Sequence, residues 1–162
     1  MKIAMIGTRG IPARYGGFET AVEQISTRLV RDGHEVVVYN RAGVNTYEEP
    51  AYEGVRLVRL PTYNSKHLAT IVHSALSTLH ATLRSDVDVV HYFTAGAGAL
   101  SFLPRLFGKR TVCSVDGLDW SRRKWGRFAR AYLKLSEQVV SRVVDAIVTD
   151  DPKTALATLV EP

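Results

Sequence analysis

The chain has 162 residues, 46% apolar and 23% charged, with a formal charge of +5 at neutral pH. That length fills one domain and is short for two, and the composition excludes a disordered or fibrous protein. The lone cysteine, Cys113, excludes an internal disulfide and lies in an apolar run, where a buried, inert thiol is expected. No stretch approaches the roughly 18 consecutive apolar residues of a membrane span. The start, Met1–Gly7, is too briefly apolar for a signal peptide, so a cytoplasmic location is expected. The positive balance admits an anionic partner (nucleotide, phospholipid or nucleic acid) without choosing among them.

Taken in chain order, Lys2–Ile6 is a short apolar run closed by Gly7 and predicts a buried strand. Glu19–Asp32 carries Ala21, Val22, Ile25, Leu29 and Val30 at helical spacing, with Gly33 as its stop. Glu35–Tyr39 predicts a second strand, Arg41–Gly54 a polar, turn-rich connection, and Val55–Leu60 a third strand ended by Pro61. His67–Arg84 has helical periodicity through Leu68, Ile71, Val72, Ala75, Leu76, Leu79 and Leu83, and Val87–Tyr92 is a β-branched strand. Gly98–Phe107 predicts a helix kinked or opened by Pro104. Thr111–Val115 reads as a strand, Arg127–Arg142 as an amphipathic helix, Val143–Val148 as a last strand, and Lys153–Leu159 as the start of another helix. This β-α-β-β-α-β-α-β-α-β-α order predicts an α/β, Rossmann-like three-layer domain with a mostly parallel sheet. Ligands of such sheets bind beyond the carboxyl ends of the strands.

The loop after the first strand, Gly7-Thr8-Arg9-Gly10-Ile11-Pro12-Ala13-Arg14-Tyr15-Gly16-Gly17-Phe18-Glu19, is the most informative segment. Gly16 and Gly17 stand where a helix begins, so free N–H groups and the positive dipole end are available to a phosphate or carboxylate. Arg9 and Arg14 supply charge-assisted donors, and Glu19 suits the first helical turn. The plainer alternative is a tight turn with a capped helix. The loop does not match the dinucleotide fingerprint, and Asn40-Arg41 stands where an acidic ribose ligand would end the second strand.

Residues 7–19 resemble the opening of family 4 glycosyltransferases, and more narrowly a rhamnosyltransferase-like bacterial subgroup that builds surface polysaccharides. The stretch Val115-Asp116-Gly117-Leu118-Asp119-Trp120-Ser121-Arg122-Arg123-Lys124-Trp125 resembles a second motif of that subgroup. The resemblance covers essentially the whole chain. It implies the N-terminal, acceptor-side half of a GT-B fold, with the donor-binding C-terminal domain absent. The implied reaction is a retaining transfer of a sugar, rhamnose among the candidates, from a nucleotide-sugar to a lipid-linked or polysaccharide acceptor. No cofactor and no obligatory metal are implied, and the half-enzyme alone should not turn over.

By the same resemblance Gly16 and Gly17 approach the donor diphosphate, Glu19 is the helix-opening glutamate, and Asp116 stands where many members place a histidine. Asp116 and His91 are the candidate catalytic residues, with Asp119, Thr94 and Gly96 as further binding candidates. Each has a bland alternative: turn chemistry for the two aspartates, a satisfied sheet residue for His91, and close helix packing for Thr94–Gly98. No His, Cys and carboxylate spacing suggests a metal site. Trp120–Arg142 carries seven basic residues against Glu137 alone, with aromatic residues interleaved, which suits either an anionic lipid surface or a solvated helix. No nucleic-acid motif is present. The competing functions are an NAD(P)-linked oxidoreductase or epimerase and a non-catalytic binder of anionic lipid or polymer.

Overall fold

The computed structural model describes residues 1–14, 16–63, 68–115 and 126–149. Strands β1 (Lys2–Ile6), β2 (Glu35–Arg41), β3 (Ala51–Tyr52), β4 (Val55–Leu60), β5 (Val89–Phe93), β6 (Arg110–Ser114) and β7 (Ala146–Val148) form one sheet. Their order is β3-β4-β2-β1-β5-β6-β7, parallel throughout except for β3, which pairs antiparallel with β4. The helices are α1 (Gly17–Arg31), α2 (Leu68–Leu83), α3 (Phe102–Leu106) and α4 (Arg127–Val143), with a 3₁₀ turn at Gly98–Leu100 before α3. The expected helix from Lys153 lies outside the described residues. The fold is the predicted α/β, Rossmann-like one.

Alternation along the central strands explains the layers. Ala4, Ile6, Val37, Tyr39, Val90 and Tyr92 point to one face, where Ala81 of α2 and Val140 of α4 close the core. Ile3, Met5, Val36, Val38 and Phe93 point to the other, against Val22 of α1. Both faces of β1 and β2 are therefore covered, as their continuous apolar runs require. Cys113 is buried in the first cluster, and burial pushes its thiol up to about 12, consistent with an inert side chain.

The expected helix Gly98–Phe107 is divided into the 3₁₀ turn and α3, the expected strand from Val143 begins only at Ala146, and two further elements differ more deeply. The turn-rich connection holds β3, whose hairpin to β4 turns at Glu53 and Gly54, both at positive φ (45° and 82°). The apolar period of α2 marks its outer side, since Leu68, Leu76, Leu79 and Leu83 are exposed. The sheet dictates this inversion. Tyr39 and Tyr92 direct their hydroxyls at α2 and need partners there. Tyr39 Oη meets His80 Nδ1 at 2.9 Å, and Tyr92 Oη meets Thr78 Oγ1 at 3.1 Å. The polar residues of α2 therefore turn inward.

Candidate functional site

The strand order reverses between β1 and β5. The chain leaving β1 reaches α1 on one face of the sheet, while the chain leaving β5 passes through the 3₁₀ turn toward the opposite face. Neighbouring connections that diverge this way open a crevice at the carboxyl ends of the two strands. The residues after β1 and β5 form its walls.

The β1 wall is shaped by close approach. Gly7 has φ of 118°, and a β-carbon there would lie 2.3 Å from the Phe93 carbonyl oxygen. Gly10 has φ of 110° and sits on Asn40, whose Oδ1 would be 2.2 Å from an added β-carbon. Asn40 clamps the loop: its Oδ1 accepts from the Ile11 N–H at 3.1 Å and its Nδ2 donates to the Ile11 carbonyl at 2.7 Å. Ile11 is fully buried beneath, and its peptide bond to Pro12 is cis. The Arg9 N–H donates to Glu19 Oε1 at 3.2 Å, so Glu19 ties the loop to the first turn of α1.

At the helix start, Gly16 adopts φ 91° and ψ 160°, a conformation essentially restricted to glycine. Gly17 is different. It is exposed, and among the described residues nothing lies within 4 Å of where its β-carbon would be. The first-turn amides of α1 thus stand open at the positive end of the helix dipole, with the Glu19 carboxylate beside Gly16. Arg9 is exposed nearby, while Arg14 is held aside by its bond to Thr46.

Arg41, at the carboxyl end of β2, went unrecognised as a candidate in the sequence. It is 8% exposed, donates to Thr70 Oγ1 at 3.2 Å, and its Nε has no hydrogen-bond partner among the described residues. Burial lowers its pKa most, the charge of Arg9 lowers it further, and Glu19 opposes them. Arg9, Glu19 and Arg41 therefore share one electrostatic neighbourhood. A cation closing an apolar strand was the available signal.

On the β5 wall, Thr94 is half-buried at φ 88°, an uncommon conformation for a β-branched residue, and its Oγ1 accepts from the Ala97 N–H at 3.3 Å. Gly96 is buried under α4. Its carbonyl accepts from Tyr132 Oη at 2.8 Å, and an added β-carbon would come within 3.0 Å of Leu133. Gly96 is placed for close packing, whereas Thr94 stays at the mouth. His91 lies on the α1 side, 2.8 Å from Ser114 Oγ and stacked on Phe93 at 4.3 Å between ring centres. Asp116 and Asp119 lie outside the described residues, as do Tyr15 and Trp120–Trp125. The structure thus brings together Arg9, Gly16, Gly17 and Glu19 on one wall and sets His91 with Ser114 beneath the other. Among the described residues no His, Cys, Asp and Glu side chains group as metal ligands.

Burial lowers His91 from 6.5 to about 4, and burial together with the Arg41 charge does the same to His73. Both imidazoles are therefore neutral at pH 7. The unfolded chain takes up protons near the ordinary value of 6.5, and the folded chain only near 4. Stability is expected to fall as pH drops across that window, by roughly 2 kcal/mol per histidine near its lower end. Urea unfolding at about pH 7 and about pH 4.5 measures the loss, and His91→Gln should remove about half of it, leaving the His73 share. An unchanged slope in that variant would place the acid sensitivity elsewhere.

Comparison with known proteins agrees with the fold. The chain is similar to the sucrose-phosphate synthase of Thermosynechococcus elongatus, with a TM-score of 0.73 and 16% identity over 99% of this chain and 45% of that one. It is also similar to MurG of Acinetobacter baumannii, with a TM-score of 0.55 and 18% identity over 94% of this chain and 42% of that one. The chain spans less than half the length of either structure. At these identities the likeness is one of fold, a Rossmann-like domain of the kind that GT-B proteins pair. No curated protein matches the sequence. A family model described as "Domain of unknown function (DUF1972)" matches residues 1–157.

Proposed function

Starting from the chain's membership of the DUF1972 family, we propose that it is the N-terminal, acceptor-side domain of a retaining glycosyltransferase. Its substrates are a nucleotide-sugar, with an activated rhamnose the first to test, and a lipid-linked or polysaccharide acceptor met at the cytoplasmic face of the membrane. A second Rossmann-like domain downstream grips the donor nucleotide across the crevice, and no metal is obligatory. The observation that carries this reading is the open start of α1 at the β1–β5 reversal, where Gly17 leaves room for a ligand. The likeness to longer chains, a sucrose-phosphate synthase and MurG, supports it, as do the motif resemblances at residues 7–19 and 115–125.

In this scheme the first amides of α1 at Gly16 and Gly17 receive the donor diphosphate. Arg9 adds positive charge and Glu19 fixes the loop that carries it. Thr94 borders the acceptor. Asp116 and Asp119 hold sugar hydroxyls, and the Asp116 carboxylate steadies positive charge that develops on the transferring sugar. His91, neutral at pH 7, supplies a hydrogen bond rather than a charge.

The test is a donor screen on the protein extended through its downstream domain, following nucleotide release. Release that needs one nucleotide-sugar and an acceptor supports the proposal. No release with any donor, or tight NAD(P)H binding in a calorimetric titration, contradicts it.

A further inference from the structure

The outer surface of the layer formed by α2, α3 and α4 is unlike that of an ordinary globular domain. The sheet-facing side of α2 carries His73, Ser74, Ser77, Thr78, Ala81 and Thr82, all buried. Its outer side carries Leu68, Leu76, Leu79 and Leu83, between 39% and 67% exposed. No Asp, Glu, Lys or Arg occurs in the helix. A solvated surface helix has the reverse pattern. Beside it α3 exposes Phe102 and Leu106, Phe107 just after it is exposed too, and on the same side of the sheet α4 exposes Phe128, at 94%, and Leu135. Exposed apolar surface on this scale marks an interaction site.

Charge identifies the partner. The outer side of α4 also carries Arg127, Arg130, Lys134 and Arg142, and Glu137 is the helix's one acidic residue. A second copy pairing through the same layer would set one cationic surface against another. An anionic bilayer satisfies both features, since its interior takes the leucines and its headgroups take the cations. No described helix is long and apolar enough to cross a membrane, so the contact is in-plane.

We infer that the α2–α3–α4 layer docks on anionic phospholipid. The leucines of α2 and the rings of Phe102 and Phe107 enter the acyl boundary, and the cations of α4 hold headgroup phosphates. This gives the proposed transferase its membrane face. It rests on that reading only in taking lipid as the native setting, and flotation detects the contact without any transfer.

The experiment floats the chain with phosphatidylcholine vesicles containing roughly one-third phosphatidylglycerol, and with pure phosphatidylcholine vesicles. The expected result is binding to the anionic vesicles only, weakened by salt. Leu79→Gln/Leu83→Gln should lower partitioning at least about tenfold, and Arg127→Gln/Arg130→Gln should lower it comparably. Ile25→Gln, on the opposite face, should float as the unmodified chain does. Circular dichroism confirms that each variant is folded, and the arginine pair tests the surface without touching the leucines. Absence of binding to anionic vesicles overturns the inference, as does wild-type flotation by both double variants. A dimer in sedimentation equilibrium that the leucine variant dissolves, without flotation, overturns it in favour of a second copy.

Discussion

Gly7→Ala is expected to cost the fold on the order of 3–5 kcal/mol, a large part of the stability of a domain this size. Two effects combine. The residue holds φ of 118°, which an L side chain rarely adopts, and its new β-carbon would lie 2.3 Å from the Phe93 carbonyl oxygen and 2.9 Å from the Ala97 β-carbon. The nearest atom is backbone at the end of a central strand, so a rotamer change cannot relieve the contact. Urea unfolding measures the loss, with Gly17→Ala as the control. That position is open and helical, and its midpoint should shift by less than about 0.5 kcal/mol. Equal midpoints for the two variants would mean that the β1 loop does not meet β5 as described.

Asn40→Ala should remove about 2–4 kcal/mol, because it strands a buried donor. The Ile11 carbonyl keeps a second donor, Asn45 Nδ2 at 3.3 Å, but the Ile11 N–H loses Asn40 Oδ1. Asn40→Asp should also be damaging, since it keeps the acceptor for the Ile11 N–H but sets a buried carboxylate oxygen against the Ile11 carbonyl. Gly10→Ala is destabilising on its own because its β-carbon would land on the Asn40 side chain. Combining it with Asn40→Ala clears the side-chain atoms at 2.2 and 2.3 Å and leaves the Asn40 α-carbon at 2.9 Å, so the double variant should be less destabilised than the sum by about 1 kcal/mol or more. Additive losses would argue that the side chain does not clamp the loop.

These residues also show what could be read from the sequence. β1 and β4 have the predicted bounds, and α1 and α4 begin or end within two residues of expectation, because apolar period and glycine stops are local signals. β3 escaped because two residues, Ala51 and Tyr52, are too few to show a period. The outer face of α2 could not be read from periodicity, which locates an apolar stripe but not what faces it. There the deciding partners are tyrosines on β2 and β5.

Within the crevice, the glycine positions of residues 7–17 were legible because a backbone that must approach another closely leaves glycine as its mark. Asn40, Arg41 and Ser114 were not. Their partners are far off in sequence: Ile11 of the β1 loop is 29 residues from Asn40, Thr70 of α2 is 29 from Arg41, and His91 on the neighbouring strand is 23 from Ser114, so only the folded chain brings them together. Thr94–Gly98 had two readings as a small-residue segment. The packing of Gly96 under Leu133 and of Gly98 against Val140 follows from where α4 crosses, which local sequence does not encode.

The central claim is that the open helix start at the β1–β5 reversal receives the donor. Gly17→Val in the protein extended through its downstream domain tests it most directly, read as nucleotide-sugar-dependent transfer beside the thermal midpoint. The side chain would enter space that no described residue occupies. Transfer should therefore fall at least about tenfold while the midpoint moves by no more than a few degrees. Wild-type transfer by a folded Gly17→Val protein would contradict the account.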